Sequence, residues 1–173
     1  FAEMIKLFST TQPTQATMAT VTGAATIVVI QLAQVSHAGL KPYDWHIRNI
    51  AFDDDDEKPQ LKGFKLIDWA DNHTANAPLL LRERMQKAFM QFSDCFQDFT
   101  SWGQDPRGLM YAHIWDTFMK SLHHTLKDWW SEWSIRVAGQ DVDALPNDEH
   151  ISQLQDRFQK IILGLSSMHH LPR

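Results

Sequence analysis

The sequence HAGLKPYDWHIRNIAF at residues 37–52, followed by KLIDWA at 65–70, decides how the rest of the chain is read. Gly39 sits where a helix C-cap glycine belongs and Pro42 cannot continue a helix, so the helix before them is expected to end near Ala38. Two short apolar runs follow, Ile50-Ala51-Phe52 and Phe64-Lys65-Leu66-Ile67, both strand-like. Between them DDDDEKPQLKG at 53–63 places five consecutive acids before Pro59 and Gly63. That is the composition of an exposed connection, and the two runs are expected to pair as a small β-hairpin. The acidic run lacks the alternating ligand pattern of a calcium loop and reads as solvated. Around the hairpin the polar residues have an order of their own: Asp44, then Asn49, an apolar strand, a turn, and a second apolar strand that ends in Asp68-Trp69-Ala70.

This order resembles the catalytic loop and metal-binding loop of protein kinases, over residues 21 to about 71, the preceding helix and its His37-Ala38-Gly39-Leu40 ending included. Within that superfamily, Asp44-Trp45-His46-Ile47-Arg48-Asn49 is more similar to the Asp-x-His-x-x-Asn loop of aminoglycoside phosphotransferases, choline kinases and their relatives than to the Asp-x-Lys-x-x-Asn loop of most protein kinases. Ile67-Asp68-Trp69 likewise resembles the Ile-Asp-aromatic segment of those small-molecule kinases. The resemblance implies the C-terminal lobe of a phosphotransferase that uses ATP and Mg²⁺ on a hydroxyl-bearing small molecule or protein. It implies that Asp44 is catalytic, accepting or orienting the proton of the acceptor hydroxyl. Asn49 and Asp68, a neutral amide oxygen and a carboxylate, become the metal ligands, hard donors suited to Mg²⁺. His46 joins them as a cofactor-binding residue beside the phosphates.

The chain departs from the pattern in ways that bear on activity. Pro42-Tyr43 stands where these families usually carry His-Arg or His-Gly, so the histidine anchor of the loop is missing. Ala70 replaces a frequent glycine, and no Ala-Pro-Glu-type segment follows Asp71. Upstream of Val21 nothing reads as a glycine-rich phosphate loop, a strand lysine or its partner glutamate, and Glu3 and Lys6 lie too near the start. The expectation is therefore a lobe without its N-terminal lobe, incomplete or inactive alone. The alternative is a non-catalytic, kinase-derived interaction or scaffold module within a larger assembly, held by a protein partner.

Away from this stretch the chain is expected to be mainly α, one kinase-like lobe over 1–173. Residues 1–17 form a lead-in, 18–78 the helix, catalytic-type loop and hairpin, and 79–173 a helical subdomain. Residues 18–35, MATVTGAATIVVIQLAQV, are apolar over a membrane-span length, but Thr20, Thr22, Gly23, Thr26, Gln31 and Gln34 dilute them and a buried helix is expected. Leu81, Met85, Phe89, Phe92, Phe96 and Phe99 recur at helical spacing. A second helix is expected from Asp105-Pro106 to about Val137, with one of Trp129 and Trp130 leaving the core face, and a third over 148–166. The pairs His123-His124 and His169-His170 point about 100° apart on a helix and are expected at the surface.

Composition sets the outer bounds. With 173 residues, 43% apolar and 21% charged, the chain folds as about one domain, and its size suits one lobe of a two-lobed protein. A formal charge of -5 excludes a general nucleic-acid binder, and no membrane partner is expected. Cys95, alone, excludes an intrachain disulfide and a cysteine-based zinc site, and leaves the compartment open, with the cytoplasm as the default expectation. The start at Phe1, with no signal peptide before it, reads as a processed product or a fragment.

Overall fold

A computed structural model describes residues 11–37, 40–41, 50–52, 64–66, 73–74, 109–138 and 146–173. In chain order they form helix α1 (Gln15–His37), strands β1 (Leu40–Lys41), β2 (Ile50–Phe52), β3 (Phe64–Leu66) and β4 (His73–Thr74), and helices α2 (Leu109–Ala138) and α3 (Asp148–His169). Helices of 23, 30 and 22 residues against strands of two or three make the described part mainly α. The expected amphipathic helix around Leu81 to Phe99 and the Asp105-Pro106 turn lie outside the described residues, as do Trp45, Trp69, Cys95 and the acidic run.

α1 starts three residues earlier than its hydrophobicity indicates, because Thr14 caps it. The Thr14 hydroxyl accepts from the Thr17 backbone N–H at 3.0 Å, while the Thr17 hydroxyl accepts from the Thr14 N–H at 2.9 Å. This is a reciprocal capping box with threonine in the place usually held by Glu or Gln. Met18, Val21, Ala24, Ala25, Val28 and Val29 are buried, and so are Thr22 and Thr26. The last two satisfy their hydroxyls within the helix, Thr22 donating to the Ala19 carbonyl at 3.0 Å and Thr26 to the Thr22 carbonyl at 2.8 Å. The threonines that dilute the apolar run are thus compatible with a buried helix. Among the described residues, no helix is long and apolar enough to cross a membrane.

α2 buries Ile114 and Trp115, Phe118 and Met119, Leu122 and His123, Leu126, then Trp129, Trp130 and Trp133. Repeated adjacent pairs make a stripe wider than the usual single face. That width corrects two expectations: Trp129 and Trp130 are both 2% exposed, and His123 is 8% exposed while its neighbour His124 faces solvent. Adjacent residues lie about 100° apart, and a stripe of that width holds both. Trp129 stacks on Trp133 at 6.4 Å and 11°, and Trp130 meets Trp133 at 5.2 Å and 53°. Trp115 and Phe118 form an edge-to-face pair at 5.7 Å.

α3 is the clearest amphipathic element, with Leu154, Phe158, Ile162, Leu165 and Ser166 turned inward. It begins at a second capping box, in which the Asn147 side chain accepts from the His150 N–H at 3.0 Å and the His150 ring accepts from the Asn147 N–H at 3.4 Å. Asp148 and Glu149 in the first turn complement the helix dipole. The helix runs three residues past the expected Ser166 and stops at His170, whose φ of 52° is left-handed. The N–H groups of His170 and Leu171 both donate to the Ser166 carbonyl.

α3 packs against both α1 and α2, and side chains of all three helices share one core. Three polar ties fix the arrangement. Trp129 Nε1 donates to the His150 carbonyl at 2.8 Å, joining α2 to the start of α3. Gln15 N–H donates to the Pro172 carbonyl at 3.0 Å, with Leu171 buried in the core, joining the end of α3 to the start of α1. Trp115 Nε1 donates to the Thr11 carbonyl at 3.2 Å, joining α2 to the segment before α1. On the surface, Arg157 reaches both carboxylate oxygens of Glu132 across α3 and α2.

Candidate functional site

The candidate residues lie on the two connections between strands, and the strands place the ends of those connections. α1 delivers the chain at His37 to β1, and it lies against β1 and β3. β1 pairs antiparallel with β4, Leu40 opposite Thr74 and Lys41 opposite His73. β2 pairs antiparallel with β3, Ile50 opposite Leu66, Ala51 opposite Lys65 and Phe52 opposite Phe64. The ladders are nested: the outer one joins the first and last strands and the inner one the two between.

Nesting has a geometric consequence. Residues 42–49 run from Lys41 to Ile50, and residues 67–72 run from Leu66 to His73. Lys41 is opposite His73 and Ile50 is opposite Leu66, so both connections leave and enter at the same two paired positions. Directly paired residues of antiparallel strands have Cα atoms about 4.5–5.5 Å apart. Each of the two segments that carry the candidate residues therefore starts beside the paired position at which the other finishes.

Asp44, His46 and Asn49 belong to the first connection and Asp68 to the second, and all four lie outside the described residues. Asn49 is the residue before Ile50, and Asp68 is the second after Leu66, so both sit in sequence next to the same paired position. Sequence reasoning missed the outer ladder. Leu40-Lys41 and His73-Thr74 are too short to show the alternation that marks a strand, and only their pairing identifies them.

The helical part offers no competing metal centre: among the described residues no three His, Cys, Asp or Glu side chains gather where they could hold an ion. His123 and His124 meet edge to face at 5.7 Å, one ring turned into the core and the other outward. Compared with protein-family models, with curated proteins and with solved structures, the chain matches none of them.

Proposed function

We propose that this chain is the C-terminal lobe of a kinase-like phosphotransferase that moves a phosphoryl group from ATP to a hydroxyl acceptor, with Asp44, His46, Asn49 and Asp68 as its working residues. The nested ladders carry the reading. A phosphoryl-transfer site built from two loops needs both held side by side, and the pairing order, which brings the ends of the two connections together, supports that reading.

In the proposed reaction the acceptor oxygen forms a bond to the γ-phosphorus as the bond from that phosphorus to the β,γ-bridging oxygen breaks, and ADP leaves with the electron pair. The acceptor proton passes to the Asp44 carboxylate. Asn49 and Asp68 carry the oxygen donors that would hold Mg²⁺, which when bound neutralises charge on the phosphates. His46 would donate to a phosphate oxygen or brace the loop. A glycine-rich phosphate loop and a strand lysine would come from an N-terminal lobe.

The second reading, a non-catalytic scaffold module bound to a protein partner, is favoured by Pro42-Tyr43 in place of the histidine that usually anchors the loop. Phosphoryl transfer by the full-length protein separates the two. Asp44→Ala and Asp68→Ala are expected to abolish Mg²⁺-dependent turnover of ATP and to leave the circular dichroism spectrum in place. Turnover that either substitution leaves unchanged contradicts the enzyme reading. No turnover by the unsubstituted protein, with a stable complex recovered in pull-down, supports the scaffold.

A further inference from the structure

We draw no further inference here: the strongest candidate, the exposed apolar side chains of Leu163, 50% exposed, and Met168, 67% exposed, on the surface of the last turns of α3, carries nothing because nothing in the structure shows what covers them.

Discussion

Ser166 and His170 are the residues at which single-atom chemistry is most exposed to test. The Ser166 hydroxyl is buried and finds no hydrogen-bond partner among the described residues, whereas its carbonyl receives two N–H groups from the chain that follows. Removing the hydroxyl takes away an uncompensated polar atom and keeps the backbone cap. Ser166→Ala is therefore expected to hold or raise stability, by up to about 1 kcal/mol, in urea unfolding. A loss of that size would mean that the hydroxyl has a partner. His170 occupies the left-handed region at φ 52°, where a Cβ costs about 1 kcal/mol relative to glycine, and its side chain is exposed. His170→Gly is expected to raise the thermal midpoint by a few degrees and His170→Val to lower it, histidine being among the residues that tolerate this conformation better than β-branched ones. The reverse order would show that the ring contributes more than the backbone.

Among the elements, the helices repay hydrophobic periodicity and the caps do not. The apolar spacing of Leu154, Phe158, Ile162 and Leu165 identifies α3 from sequence alone, and it is buried as that spacing requires. The two helix N-caps among the described residues escape the usual capping signature because N3 is Thr17 in one and His150 in the other. Each cap still satisfies helix N–H groups, so Thr14→Ala and Asn147→Ala are each expected to cost about 1 kcal/mol in chemical denaturation. Near-additive losses in the double variant would fit, the two caps lying on different helices, and no loss in either single variant would show that the caps are idle. The tryptophans were misjudged for a different reason. Whether an adjacent pair fits one buried stripe depends on how wide the neighbours make it, and that width comes from tertiary packing. Trp129, stacked on Trp133 and bonded to the His150 carbonyl, has both its ring and its N–H accounted for. At the candidate site Asp44, His46, Asn49 and Asp68 lie outside the described residues, while the runs at β2 and β3 were legible as short stretches bounded by turn residues. The outer ladder was not, since two-residue strands exist only through their pairing.

At the scale of the whole molecule, the helical core and the ladders meet at α1. α1 belongs to both: its buried face packs with α3, its first residue is tied to Pro172, and its far end leads directly into β1. The connections that carry Asp44, His46, Asn49 and Asp68 start and finish at the paired positions of the nested ladders, beside which α1 lies. The proposed two-loop phosphoryl-transfer site rests on the motif spacing, and the strand order brings the ends of the two connections together. The account predicts that binding of ATP depends on Mg²⁺ and on the oxygen donors of both loops together. The most direct test is isothermal titration calorimetry of Mg-ATP against the full-length protein and its Asp68→Ala and Asn49→Ala variants, with and without excess EDTA. The expected result is saturable binding by the unsubstituted protein, lost with EDTA and weakened at least about tenfold in each variant, a change of about 1.4 kcal/mol. Absence of binding at millimolar Mg-ATP, or equal binding by all three proteins, would contradict it.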